Sequence, residues 1–169
     1  EMSASLVGSE MCIRDRLNRR GLDSALRYWQ MGQKSFAVIA LDIDRFKRIN
    51  DTYGHDVGDN VIRYLSQLIR TSSRDSDILC RSGGEEFLIL LPETTLDVAL
   101  DIAERLRQRT QESTIPVVGS ITISLGVALW QPSVSNISIE RTFKLADEAL
   151  YQAKQEGRNR GVSAVSSES

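Results

Sequence analysis

Cysteine, histidine and long apolar runs are all scarce in this chain, and each scarcity removes a class of function. Two cysteines, Cys12 and Cys80, are too few for a disulfide scaffold and suit a protein of the reducing cytosol. The single histidine, His55, has no Cys or His companion to complete a zinc site and reads as a loop hydrogen-bonder. The longest apolar runs, Phe36 to Leu41 and Phe87 to Leu91, are far too short to span a bilayer. Residues 1–16 hold no apolar stretch of the kind that marks a secretory signal. Charge of one sign is lacking as well: 21 Lys and Arg against 23 Asp and Glu leave a net −2 and no basic footprint for a nucleic acid. An anionic ligand must therefore be met by a few local cations or by a metal.

What is present is one domain's worth of chain, 169 residues at 41% hydrophobic content, enough to bury a sizeable core. Residues 1–16 show no period and read as a leader either disordered or foreign to the domain, which spans 17–162 and is followed by a short tail, 163–169. Leu22, Ala25, Leu26 and Trp29 recur at helical spacing, predicting a helix that ends near Gly32. Phe36 to Ile43 is nearly all apolar and predicts a central strand buried on both faces. A short helical turn and a Gly-punctuated loop follow. A long helix is expected from about Asp59 to Arg70, with Val61, Ile62, Leu65, Leu68 and Ile69 inward. Thr94-x-x-Asp97 predicts a capping box opening a helix through Arg109. Ile121 to Val127 alternates like a half-exposed strand, and after the loop 131–136 a last helix near 139–156 ends at Gly157. Interleaved strands and helices around one sheet make the fold class α+β or α/β.

Chemistry concentrates in Arg81-Ser-Gly-Gly-Glu-Glu-Phe87, set between the apolar runs 78–80 and 87–91 as the turn of a β-hairpin ended by Pro92. Gly83 and Gly84 are expected at positive φ, with room for a bulky ligand. Glu85 and Glu86 sit at the tip, either as surface acids or as a metal ligand beside a group that acts on substrate. Asp42 and Asp44 close the first strand and, at period two, share a face. Were the strand end and the turn to meet, these four acids would form an oxygen-only cluster, which selects Mg²⁺ or Mn²⁺ completed by substrate phosphates. Lys47, Lys154 and Arg158 are the cations for such phosphates. Lys154 and Arg158, one helical turn apart, are expected to point the same way.

Four stretches together carry a resemblance: Arg81-Ser-Gly-Gly-Glu-Glu-Phe87, Asp42-x-Asp-x-Phe-Lys-x-x-Asn-Asp51, Gly54-His-x-x-Gly-Asp59 and Ala146-Asp-x-Ala-Leu-Tyr-x-Ala-Lys-x-x-Gly-Arg-Asn159. Over roughly 17–162 the chain resembles the GGDEF-domain diguanylate cyclases, in a GGEEF variant. The resemblance implies a nucleotidyl-cyclase, palm-like fold with a central mixed sheet surrounded by helices. It implies condensation of two GTP into cyclic di-GMP with release of two pyrophosphates, in a homodimer whose subunits each hold one GTP. By the same resemblance, Asp42, Glu85 and the Ile43 carbonyl hold Mg²⁺ or Mn²⁺, and Glu86 assists as a further catalytic acid. Phe46, Lys47, Gly83, Gly84, Lys154 and Arg158 line the phosphates, and Asn50 and Asp59 read the guanine. Arg74-x-x-Asp77 with Arg105 resembles the family's inhibitory product site. Asn18-Arg19-Arg20 fits the family's opening motif, but residues 11–17 do not, a departure at the active-site edge. A sensory or regulatory domain is expected upstream. Two other readings stay open: a non-catalytic receptor for GTP or cyclic di-GMP, and a generic palm-like nucleotidyltransferase, the latter weakened by the absent basic track.

Overall fold

The computed structural model describes residues 17–81, 83–132 and 138–164, with side chains from residue 22 onward. The leader 1–16, the mismatch ahead of residue 17, Ser82, most of the loop 131–136 and the tail beyond 164 lie outside the described residues. The elements run α1 (Leu17–Met31), β1 (Phe36–Ile43), α2 (Phe46–Tyr53), α3 (His55–Ser72), β2 (Ile78–Arg81), β3 (Glu86–Pro92), α4 (Leu96–Glu112), β4 (Ile123–Trp130), α5 (Ile139–Gln155) and β5 (Gly161–Ser163). The strands form one mixed sheet ordered β2-β3-β1-β4-β5, antiparallel except for the β4–β5 pair. The β5 pairing carries the fold past the expected boundary at 162, to the Ala164 N–H that donates to Val127 O at 2.7 Å.

β1 lies at the centre, and its alternation assigns the two layers. Ala37, Ile39, Leu41 and Ile43 pack against the stripes of α3 (Val61, Ile62, Leu65, Ile69) and α4 (Ala99, Ala103, Leu106). Phe36, Val38 and Ala40 face α1 and α5, through Leu26, Trp29, Ala146 and Leu150. Phe36 is held between two indoles, with ring centroids 5.4 Å from Trp29 and 5.3 Å from Trp130. Asp42 and Asp44 continue this second face toward the end of the strand.

Four expectations are corrected. The 55–58 stretch is helix rather than loop: Gly54 at φ 91° turns the chain once, and α3 begins at His55, now an exposed first-turn residue. The cap of α4 is Thr95, whose side chain accepts the Val98 N–H at 3.3 Å. Thr94 is taken instead by Arg74, below, so the cap moves by one residue and, with Val98 at its third position, α4 has no capping box. β4 begins at Ile123 and is buried on both faces rather than half exposed, because α5 covers the side that its Ser and Gly residues present. β5 itself has no signal in three short residues.

Gly126 sets how closely α5 lies on the sheet. A Cβ there would overlap the Ala146 carbonyl oxygen and the Leu150 nitrogen, backbone atoms with no freedom to yield. Gly126→Ala is therefore expected to cost about 3 kcal/mol, read as a lower urea midpoint, with α5 lifted from β4. No helix among the described residues is long and apolar enough to cross a membrane.

Candidate functional site

β1 and the hairpin turn do meet. β1 pairs antiparallel with β3, Asp42 stands opposite Glu86, and the Ile43 N–H donates to the Glu85 carbonyl at 3.4 Å. Asp42 is 4% exposed, an expensive place for a carboxylate. One oxygen, Oδ2, accepts from the Lys154 ammonium on α5. The other, Oδ1, is buried and has no partner among the described residues. Burial pushes the Asp42 carboxyl above its ordinary value; Lys154 opposes this, while Glu85 and then Glu86 add to it. The turn acids are thus close enough for Asp42 to feel their charge.

Asp44, two residues on, has a different fate. Its oxygens accept from Ser124 Oγ at 2.6 Å, Thr122 Oγ1 at 2.7 Å and the Asn159 N–H at 3.0 Å. It ties the start of β4 and the chain beyond α5 to the end of β1. The four-acid cluster is corrected accordingly: Asp44 is structural, and among the described residues no group of three or more His, Cys, Asp or Glu side chains is arranged to hold a metal. The period of two placed both carboxylates on one face but carried no sign of the hydroxyls waiting for one of them.

The turn is built from Arg81, whose Nε donates to the carbonyls of Gly83 at 3.0 Å and Gly84 at 2.9 Å. Neither glycine adopts positive φ, contrary to expectation; among the described glycines only Gly54, Gly119 and Gly157 do. Space is what they supply: a Cβ on Gly84 would meet nothing within 4 Å, and one on Gly83 would touch the folded-back Glu86 carboxylate at 3.3 Å. The turn stays open over half-buried Glu85.

On the other side of the β1 terminus, Phe46 and Asn50 lie one turn apart on α2 and face Gly58 of α3. A Cβ on Gly58 would overlap the Asn50 amide and crowd the Phe46 ring at 3.2 Å. Asn50 Oδ1 is buried with no partner among the described residues, against Gly58, the residue before the exposed Asp59. Lys47 is exposed beside them. Sequence reasoning has Gly58 only as part of the Gly54-His-x-x-Gly-Asp59 stretch, with no role of its own.

Arg158 does not stack on Lys154. α5 ends at Gln155, and Gly157 (φ 122°), Arg158 (φ 64°) and Asn159 (φ 50°) turn left-handed in succession. The Arg158 N–H closes the helix on Ala153 O at 2.9 Å, and its exposed side chain leaves from this turn rather than from the helix. The same turn aims the Asn159 N–H at Asp44, a role that side-chain spacing does not reveal.

Arg74 and Asp77 form a unit away from these acids. Asp77, 5% exposed, accepts the Arg74 N–H at 2.9 Å and the guanidinium Nε and Nη2 at 3.2 and 2.9 Å. Nη2 also reaches Thr94 Oγ1 at 2.7 Å and Pro92 O at 3.3 Å, which pins the pair to the end of β3. Arg105 is exposed on α4, with no bond joining it to this pair.

Comparisons with known proteins agree on the kind of domain. Diguanylate cyclase DgcM of Escherichia coli K12 is 43% identical over 131 residues, covering 78% of this chain and 31% of that protein. Response regulator PleD of Caulobacter vibrioides is 39% identical over 163 residues, covering 89% of this chain and 36% of PleD. The chain thus spans about a third of the length of these curated relatives. Among solved structures, the GGDEF domain of DgcB from Caulobacter crescentus in complex with c-di-GMP superposes with a TM-score of 0.78 at 32% identity, covering 97% of this chain and 98% of that one. The active GGEEF domain of a diguanylate cyclase from Vibrio cholerae gives 0.77 at 34%, covering 85% and 92%. With residues 15–160 matching the family described as diguanylate cyclase, GGDEF domain, the chain belongs to that family.

Proposed function

We propose that this chain is a divalent-metal-dependent diguanylate cyclase domain that joins two GTP into cyclic di-GMP and releases two pyrophosphates. The observation that carries the reading is the buried Asp42 carboxylate, one oxygen unpartnered, held within electrostatic reach of Glu85. That donor set fits Mg²⁺ or Mn²⁺. Two carboxylates and the Ile43 carbonyl leave positions for phosphate and water, which is how Mg²⁺ is commonly bound at nucleotides. The ion, when bound, neutralises charge on the reacting phosphates. Asp42 and Glu85 would hold it, and Glu86 would add negative charge at the same edge. Lys154, already at Asp42, lies where it can move to a phosphate oxygen once a stronger cation takes that carboxylate. Phe46, Lys47 and the open glycine turn border the triphosphate path, and Arg158 reaches it from the turn beyond α5.

Asn50 and Asp59 read the base. The Asp59 carboxylate accepts from N1–H and N2–H₂ of guanine, a donor pair that adenine lacks, and the orphaned Asn50 amide completes the edge. Each domain holds one GTP, so the 3′-hydroxyl of one nucleotide meets the α-phosphate of the other across a two-fold interface, and turnover requires a homodimer. Incubation with GTP and Mg²⁺ followed by nucleotide chromatography tests the reading. Cyclic di-GMP should accumulate; GTP bound yet unchanged would leave a receptor instead.

Arg74, Asp77 and Arg105 form the inhibitory product site in this account. A guanine of cyclic di-GMP takes bidentate contacts from the Arg74 guanidinium, in place of those now made to Asp77 and Thr94. Arg74→Ala is expected to raise the cyclic di-GMP concentration for half-inhibition by at least about tenfold with little change in initial rate. Unchanged sensitivity in a progress-curve assay would refute the assignment.

A further inference from the structure

α2 has a second flank that the proposed nucleotide site does not use. Phe46 and Asn50 face α3, whereas Arg45, Arg48 and Thr52 line a cleft of about 360 Å³ between α2 and the segment 118–122 that leads into β4. Neither guanidinium makes an ion pair or hydrogen bond among the described residues, and both are exposed. Thr52 and Tyr53 add two hydroxyls, also without partners among the described residues. The one acid in the lining, Asp44, is buried and gives both its oxygens to two hydroxyls and a backbone N–H rather than to the arginines. The first turn of α2 carries no acid either.

Arg45 adds an independent sign. It occupies the N-cap of α2 at φ 57°, ψ 35°, a left-handed conformation that costs a residue with a Cβ and is free to glycine. Its carbonyl accepts the Ile49 N–H at 3.2 Å, whereas its side chain makes no capping hydrogen bond and is left to the cleft.

We propose that this cleft is a second anion site that takes a free diphosphate. Two guanidiniums without partners among the described residues, lining one cleft, can meet two linked phosphates, and paired Arg donors are suited to phosphate oxygens. The cleft is roomy enough, at many times the ~30 Å³ share of one water. Near-neutral overall charge leaves a longer polyanion without a track to follow.

The test is calorimetric titration of the full chain with inorganic pyrophosphate, without metal or nucleotide, so its outcome is separate from that of the cyclase reading. Wild type should bind pyrophosphate, and Arg45→Gly with Arg48→Ala should weaken that binding at least tenfold. Lys154→Ala should leave it within twofold. Arg45→Gly alone should melt no lower than wild type, which shows that the loss is not misfolding. Binding untouched by the arginine changes, binding removed by Lys154→Ala, or no binding at millimolar pyrophosphate would each overturn the proposal.

Discussion

Asp42→Asn should lower cyclic di-GMP formation about a thousandfold while leaving the melting temperature at neutral pH unchanged or higher. The first effect follows from removing a buried anionic ligand, since several kcal/mol of charge stabilisation are at stake and about 4 kcal/mol is a factor of 10³. The second follows from burial. The folded Asp42 carboxyl binds its proton more tightly than the unfolded one, mainly through desolvation, with Glu85 and Glu86 adding to the effect. A raised folded pKa stabilises the fold fully below the ordinary value of 3.8 and progressively less as pH rises through the folded value. At neutral pH the ionised group therefore detracts from stability, and asparagine removes that cost. Melting curves between pH 4 and 7 should show wild type gaining on Asp42→Asn as pH falls. Asp44→Asn should behave oppositely: it replaces one of the two accepting oxygens by an amide NH₂, leaves at least one of the three donors facing another donor, and is expected to destabilise by about 1–3 kcal/mol. A parallel response of the two aspartates would mean that their roles are not divided as the hydrogen bonds indicate.

Asp59→Ala should lower kcat/KM for GTP by about a hundredfold, chiefly through KM, and shrink the preference for GTP over ITP toward unity. ITP lacks the 2-amino group, so it withholds one of the two donors that the carboxylate accepts. A site built to bond a polar edge discriminates strongly against the ligand that lacks it. Gly58→Ala is the sharper variant, because Asp59 stays in place. The added methyl displaces the Asn50 amide, and KM for GTP should rise by about tenfold or more with kcat nearly intact. If Gly58→Ala and wild type showed equal KM, Asn50 would have no part in reading the base.

How much of this was written in the sequence depends on the kind of interaction. β1 and the hairpin were legible because an unbroken apolar run and a glycine turn are local signals. The convergence of Asp42 with Glu85 was legible only as a condition, that the two strands be neighbours, which the β1–β3 register satisfies. What stayed hidden is set by partners far along the chain. Thr94 has the composition of a cap, yet Arg74, twenty residues earlier, claims its hydroxyl. Asp44 has the composition of a ligand, yet Thr122 and Ser124 take it. β4 alternates like an exposed strand, yet its small residues are small because α5 rests on them, with Gly126 under the helix backbone. Arg158 follows Lys154 at helical spacing, but three left-handed residues end the helix between expectation and side chain. In each case local pattern named the right residue type; a long-range contact changed the task of Thr94, Asp44 and β4, and a local left-handed turn changed that of Arg158.

The most direct test of the central claim is electron paramagnetic resonance of Mn²⁺ titrated into the protein with a non-hydrolysable GTP analogue. Wild type should bind the ion, Asp42→Asn and Glu85→Gln should each lose it, and Arg74→Ala should keep it. Mn²⁺ binding, read as loss of the free-ion signal, that persists in both carboxylate variants would show that the acids at the end of β1 and in the glycine turn hold no metal.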